Sequence, residues 1–170
     1  MAARKKTLSV AHTKAIGSLV VSMTRLESVV IDLLAIFMEI EILTAVLAFS
    51  HQKASSNIDT LKALYSLGMS KEERESDPTL KLLGRVAGLA DYRNSIVHAY
   101  WHVESTGVTY AVRFSARGHF SRTKKPIAAS EILAKTREAE QVGRTLRDLR
   151  DHLRKLHPEL PSTKVPPLGR

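Results

Sequence analysis

Cysteine is absent from the 170 residues of the chain. Its absence excludes disulfide frameworks, thiolate nucleophiles and cysteine-based zinc or iron–sulfur sites, and it fits a reducing compartment. A chain of this length is expected to form one domain, which buries enough surface to be stable without a disulfide or a metal. Apolar residues make up 44% of the chain and charged residues 25%, which are ordinary values for a globular domain.

A hydrophobic run typical of a membrane helix is also missing. The most apolar stretch, 29–49, is long enough to cross a bilayer but contains Asp32, Glu39 and Glu41. A carboxylate at the middle of a membrane costs roughly 2.5–3.5 kcal/mol, so a buried soluble element is the better interpretation. The basic N-terminus is not followed by the apolar stretch of a signal peptide. We therefore expect a soluble, cytoplasmic protein with no membrane partner.

Several familiar catalytic patterns are missing as well. The chain has no glycine-rich phosphate loop with a lysine and no serine in the context of a nucleophile elbow. His98 and His102 are four residues apart, but no third ligand is evident and His102 is expected to lie beyond the end of its helix. We therefore expect neither a metal nor an organic cofactor.

The positive charge is concentrated in the last third of the chain. The net charge is +9; residues 1–110 contain 12 basic and 11 acidic side chains, whereas residues 111–170 contain 14 basic and 6 acidic ones. Such a field attracts polyanions such as RNA, DNA or anionic lipid. A solvated helix face with a basic tail is the alternative explanation. The candidate RNA-binding residues are Arg144, Arg147, Arg150 and Arg154.

Hydrophobic periodicity predicts a mainly α fold. Apolar residues recur every three or four positions from Ile16 onward, again from about Ile42 to Leu67 with a possible break near 54–57, from Pro78 to about Trp101, and from Ser130 onward. The charged segment 70–78 is interpreted as a loop or short turn. These regions predict a bundle of about four helices.

A period of two replaces the helical period after Trp101. Val108, Tyr110, Val112 and Phe114 alternate with more polar residues, which indicates a strand with one buried face. A small β-hairpin at about 101–116 is therefore predicted before the last helix, with a basic loop at 118–126 after it.

The domain boundaries follow from these elements: a basic N-terminal arm over 1–14, the helical domain over 15–157, and a proline-rich disordered tail over 158–170.

The third helix carries a stripe of small and polar residues beside its apolar arc. Two glycines in the interior of a helix cost about 1 kcal/mol each relative to alanine, so such a stripe indicates the close approach of another backbone. A second copy of the chain is one candidate, and a helix crossing within the chain is the other. The stripe consists of Gly84, Gly88, Asp91, Ser95 and His98.

Two charged residues fall inside apolar arcs. Arg93 lies in the arc of the third helix and Glu27 in that of the first. An unpaired buried charge is costly, so an ion pair between Arg93 and Glu27 is predicted. The alternatives are a surface-edge position for Glu27 and a purely structural role for the pair. Asn94 and His98 are one helical turn apart and can contact each other, whereas Arg93 and His98 are separated by about 140° around an ideal helix.

The segment 91–101 resembles the signature of the HEPN superfamily. Arg93 and His98 are separated by four residues, Asn94 directly follows the arginine, and Tyr100 is two residues beyond the histidine. This string is similar to the motif of HEPN toxins in toxin–antitoxin pairs. The motif covers 91–101, and the helical pattern extends the resemblance over roughly 15–157. The hairpin and the basic last helix are additions to that pattern.

The resemblance implies a HEPN-like helical bundle that acts as a metal-independent ribonuclease and a homodimer. His98 would be the general acid or base, Arg93 would stabilise charge on the phosphate, and Asn94 would orient His98 or contact the phosphate. Tyr100 would line the cleft, and a small nucleotidyltransferase acting as antitoxin is a possible partner that would modify it. The products would be a 2′,3′-cyclic phosphate and a 5′-hydroxyl. Supporting residues at the site would be Glu27, Tyr100 and Asp91.

Two other functions are compatible with the same residues. A HEPN-like module without nuclease activity would bind nucleic acid or protein through its basic helix, with a steep salt dependence. A helical regulator that contains the motif by chance would need Arg93 only for stability.

Overall fold

A computed structural model describes residues 8–115, 121–156 and 158. Over these residues the chain forms six helices and a three-stranded antiparallel sheet, so the predicted mainly α class is confirmed at that level. The sequence predicted about four helices and two strands, and both numbers are too small. The elements are α1 (Val10–Phe37), α2 (Ile42–Phe49), α3 (Ala54–Tyr65), α4 (Lys71–Ser76), α5 (Pro78–Val97), β1 (Tyr100–Val103), β2 (Thr109–Ser115), β3 (Ser121–Pro126) and α6 (Ala129–Leu156).

The two longest helices, α1 and α6, form the centre of the fold. Each has 28 residues, and α1 packs more extensively against α6 than against any other element. Both are amphipathic, because apolar residues recur at helical spacing along one side. α1 begins at Val10, inside the segment predicted as an arm, since the side chain of Ser9 accepts a hydrogen bond from the backbone N–H of His12 (3.3 Å). The largest side chains buried on these two helices are Leu19, Met23, Leu26, Leu33, Leu34, Ile132 and Leu146.

The region between α1 and α5 contains three helices where one broken helix and a loop were predicted. A turn over 50–53 separates α2 from α3, slightly ahead of the expected break. The predicted loop contains α4, which begins with a capping box. The hydroxyl of Ser70 accepts from the N–H of Glu73 (3.2 Å), and the carboxylate of Glu73 accepts from the N–H of Ser70 (2.7 Å). This reciprocal capping stabilises a short helix that has no apolar face.

The predicted hairpin is present as β1 and β2, and a third strand extends it. Trp101 pairs with Ala111, and Val112 pairs with Lys124 of β3. Gly107 has a φ of 89° in the β1–β2 turn, a conformation that glycine adopts readily. β3 lies in the segment predicted as a basic loop. Its side chains are almost all exposed, so it has no hydrophobic alternation from which a strand could be predicted, and its basic residues and terminal proline are typical of an edge strand.

α5 ends earlier than predicted, at Val97 rather than near Trp101. Its start agrees with the sequence: Asp77 caps the helix by accepting from the N–H of Leu80 (2.7 Å). The end differs because residues from Tyr100 onward form hydrogen bonds with β2 instead of continuing the helix. The described residues do not include the first seven residues of the predicted arm. Of the predicted tail over 158–170, they include residue 158 alone.

Candidate functional site

The ion pair predicted between Arg93 and Glu27 is confirmed. A guanidinium nitrogen of Arg93 on α5 donates a hydrogen bond to the carboxylate of Glu27 on α1. The two side chains retain only 24% and 29% exposure. Arg93 lies in the middle of the α5 face that packs on the core. The negative charge of Glu27 offsets the free-energy cost of burying the guanidinium there. The pair joins α1 and α5 and holds the guanidinium near the C-terminal end of α5.

His98 lies at the end of the same helix but on a different side. It is the C-cap residue, and its backbone N–H donates to the carbonyl of Asn94 (3.1 Å). The side chains of Asn94 and His98 are both exposed, and within the described residues neither forms a hydrogen bond or an ion pair. The imidazole is therefore open to solvent. No contact joins it to Arg93 in the described part of a single chain.

The other two residues of the predicted motif are also at the surface. Tyr100 lies on β1 with 57% of its surface exposed, and Trp101 on the opposite face of the strand packs against the hydrophobic core. Asp91 is exposed on the outer side of α5. Side chains alternate along a strand, so Tyr100 and His102 share the face that is open to solvent. A phenol in this position is accessible to a second molecule.

The small-residue stripe of α5 faces solvent. A methyl group added to Gly84 or Gly88 would meet no atom within 4 Å in the described chain. The helix crossing within the chain, one of the two explanations of this stripe, is therefore wrong for the described residues. The physical reason is that α5 uses its opposite side for packing: Leu83, Val86 and Leu89 are buried there. The second copy stays a prediction.

Tyr92 is a residue that sequence reasoning missed. Its hydroxyl donates to the carboxylate of Glu131 at the start of α6 (3.4 Å). Burial, together with the negative charge of Glu131, raises the pKa of Tyr92 to about 12. Arg85, two turns earlier on α5, pairs with Glu138 of α6 (3.4 Å). These contacts attach α5 to α6, while Arg93 attaches it to α1, so α5 is held on two sides and leaves its outer side free.

The four predicted RNA-binding arginines of α6 fall into different environments. Arg150 forms two ion pairs, one with Asp32 of α1 (2.9 Å) and one with the adjacent Asp151 (2.8 Å). Burial opposes its charge, but the hydrogen bonds to Asp151 and Asp32 outweigh burial and raise the pKa of Arg150. Arg150 is therefore a structural cation in the free chain. Arg154 lowers the pKa of Asp151 to a smaller degree than Arg150 does.

Arg144 and Arg147 instead line a cavity between α6 and α1. The cavity has a volume of about 310 Å³, and Arg25 of α1 forms part of its wall. Sequence reasoning missed Arg25, because a single basic residue in a long helix carries no spacing signal. The structure thus brings together two of the predicted arginines with one that was not predicted.

Neither a metal site nor a membrane span is found in the described part of the chain. Over residues 8–115, 121–156 and 158, no three histidine, cysteine or acidic side chains are placed to hold a metal ion. Among the same residues, no helix combines the length and the hydropathy needed to cross a bilayer.

Comparison with protein-family models, curated proteins and solved structures finds no match to this chain. The resemblance of segment 91–101 to the HEPN signature consequently stays a prediction. What supports a function is the local geometry of α5 and the distribution of charge on α1 and α6.

Proposed function

We propose that this protein is a metal-independent endoribonuclease of the HEPN type. One observation carries the proposal: a half-buried arginine, held by Glu27, and an exposed histidine with no partner in the described chain lie five residues apart at the end of one helix. Histidine is the side chain most often used for general acid–base catalysis, and an exposed imidazole is accessible to a substrate. A guanidinium fixed by a carboxylate is preorganised to face a phosphate.

The reaction is cleavage of RNA by its own 2′-hydroxyl. The 2′-oxygen attacks phosphorus, the bond to the 5′-oxygen breaks, and the products are a 2′,3′-cyclic phosphate and a 5′-hydroxyl. An imidazole takes the proton from the 2′-oxygen, and an acid returns a proton to the departing 5′-oxygen. His98 has one of these roles and Arg93 stabilises the charge on the phosphate. Asn94 orients the imidazole or contacts the phosphate.

A homodimer brings two copies of His98 together. Arg93 and His98 point to different sides of α5, about 140° apart on an ideal helix. Two copies that meet along the open stripe containing Gly84 and Gly88 would bring two copies of His98 to one seam. The exposed stripe and the absence of any described atom within 4 Å of either glycine Cβ position support this arrangement.

In a cell, we place the protein in the cytoplasm as a toxin or defence effector. An antitoxin that is a small nucleotidyltransferase would silence it by modifying Tyr100. The 57% exposure of Tyr100 supports this partner, because more than half of the residue is accessible in the free chain.

The direct test is cleavage of total RNA in the presence of a chelator. Wild type is expected to cleave, and His98→Ala is expected to lose at least 100-fold in rate, the lower end of what general acid–base catalysis contributes (about 10²–10⁴). His51→Ala is the matched control, because His51 is exposed in the α2–α3 turn, away from α5. The new 5′ ends should accept phosphate from a polynucleotide kinase without prior dephosphorylation. Equal cleavage by wild type and His98→Ala, or cleavage only with added metal, would refute the proposal.

A binding module without catalysis is the second candidate. The observation in its favour is that Arg93 already has a carboxylate partner, so the pair is complete without a substrate. This candidate predicts that wild type binds RNA with a steep salt dependence and leaves it intact under the same conditions.

A further inference from the structure

The cavity between α1 and α6 contains an excess of positive charge. Ser22 and Arg25 of α1 and Glu140, Arg144 and Arg147 of α6 line it. Three arginines and one glutamate thus line the same cavity. From this arrangement we propose that the cavity is a binding site for a phosphate group, carried by a nucleic-acid backbone or as free phosphate.

The three arginines of the cavity form no ion pair within the described chain. Arg85, Arg93 and Arg150 each form an ion pair with a carboxylate from another helix. No ion pair is formed by the arginines of the cavity among residues 8–115, 121–156 and 158. Glu140, the acid that lines the cavity, accepts a hydrogen bond from the hydroxyl of Ser22 (3.3 Å). The cavity therefore keeps a surplus of two positive charges.

A glycine of α6, Gly143, also lines the cavity. Gly143 is buried, and a guanidinium nitrogen of Arg147 lies 3.5 Å from the position that a Cβ atom of Gly143 would occupy. The guanidinium thus lies close over the helix backbone instead of extending into solvent. A water occupies roughly 30 Å³, so a cavity of about 310 Å³ holds a phosphate group with several waters.

Phosphate is the anion that this donor set fits. Each guanidinium presents five N–H donors in a planar fork. Two of these N–H groups can donate to two oxygens of one phosphate at the same time. Three arginines offer more donors than a single carboxylate can accept. A phosphate is therefore a better match than the side chain of an acidic peptide.

The cavity is separate from the proposed cleavage site at the end of α5. Phosphate binding in the cavity is therefore a property additional to RNA cleavage. Arg25 and Glu27 are two residues apart on α1, which places them about 200° apart on an ideal helix. Glu27 faces α5, whereas Arg25 faces α6. Neither Arg93 nor His98 lines the cavity. A protein that does not cleave RNA could therefore still bind phosphate in the cavity, and a protein that does not bind phosphate there could still cleave RNA.

Two probes test the site in the full chain. The first is a fluorescent single-stranded 2′-O-methyl RNA, which has no free 2′-hydroxyl and cannot be cleaved, followed by anisotropy. The second is inorganic phosphate, followed by calorimetric titration. Arg25→Gln and Arg147→Gln are each expected to weaken binding about tenfold, the effect of one lost charge-assisted hydrogen bond. For the oligonucleotide, each variant should also reduce the slope of log affinity against log salt by about 0.7.

The matched control is Arg137→Gln. Arg137 is an exposed arginine of α6 that does not line the cavity, so the variant removes the same charge from the same helix. It is expected to change either affinity less than about twofold. Arg144→Gln is a second test variant at an exposed position, which guards against loss of folding.

The pattern of loss identifies the source of the phosphate. Weakened oligonucleotide binding in the cavity variants supports a backbone phosphate, and weakened binding of inorganic phosphate alone supports a free phosphate. The proposal is overturned if wild type binds neither probe. It is also overturned if the cavity variants bind both probes as Arg137→Gln does.

Discussion

Replacing Glu27 by glutamine tests the central ion pair of the fold. The change keeps the size of the side chain and removes the charge that balances Arg93. Exposed pairs contribute about 0.2–1 kcal/mol, whereas breaking a buried pair costs about 3–5 kcal/mol. With 24% and 29% exposure, this pair lies between the two cases, and we expect Glu27→Gln to lower the free energy of unfolding by about 1.5–3 kcal/mol.

The corresponding change in thermal stability is large enough to measure. For a domain of this length, each kcal/mol shifts the melting temperature by about 2–4 °C, so a decrease of about 3–12 °C is expected. Calorimetry and urea unfolding give the two quantities. Glu138→Gln is the control, because its partners Arg85 and Lys135 are 48% and 42% exposed and that variant should cost about 1 kcal/mol or less.

A double-mutant cycle separates the pair from its surroundings. Glu27→Gln combined with Arg93→Gln should cost less than the sum of the two single changes, because the second change removes the charge stranded by the first. The reasoning fails if Glu27→Gln is no more destabilising than Glu138→Gln. It also fails if the cycle shows no coupling between the two positions.

Two further predictions follow from α5 and its contact with α6. Gly88→Ala should raise the free energy of unfolding of the free chain by about 0.5–1 kcal/mol. The reason is that alanine favours the helix and the new methyl group meets no described atom within 4 Å. Urea unfolding measures this change, and a destabilised variant would contradict the prediction. The hydrogen bond from Lys135 lowers the pKa of Glu138, and Arg85 assists to a smaller degree. A lowered folded-state pKa contributes stability above the unfolded value of about 4.3, and this stability is lost as pH falls through the folded value. The difference in melting temperature between wild type and Glu138→Gln should therefore shrink below about pH 4, and a difference that stays constant down to about pH 3 would contradict the assignment.

α1 is the element that connects the two proposed sites. Its buried apolar face has a charged residue at each margin: Glu27 on the side of α5 and Arg25 on the side of α6. Asp32 lies on the second margin and engages Arg150. Two acidic residues of α1 thus neutralise arginines of neighbouring helices. Arg93 and Arg150 have carboxylate partners, and the arginines of the α1–α6 cavity do not.

Local patterns in the sequence determined most of the secondary structure and one long-range contact. The helical period predicted α1, α5 and α6, and the alternation after Trp101 predicted the β1–β2 hairpin, because side-chain burial imposes these periods directly. The pairing of Arg93 with Glu27 was predictable for a related reason. A charge inside an apolar arc needs a partner, and few opposite charges occupied such an arc.

The tertiary structure alone decided which arginines of α6 are paired and where β3 forms. Asp32 and Arg150 are 118 residues apart, and Arg25 is more than 110 residues from the arginines it joins. Their proximity depends on how α1 and α6 are rotated and shifted against each other, which the period of either helix does not specify. β3 is a strand because β2 offers a free edge, not because its own residues alternate. Contacts between distant helices and strands therefore determine the candidate phosphate site, whereas the α5 motif can be recognised in the sequence.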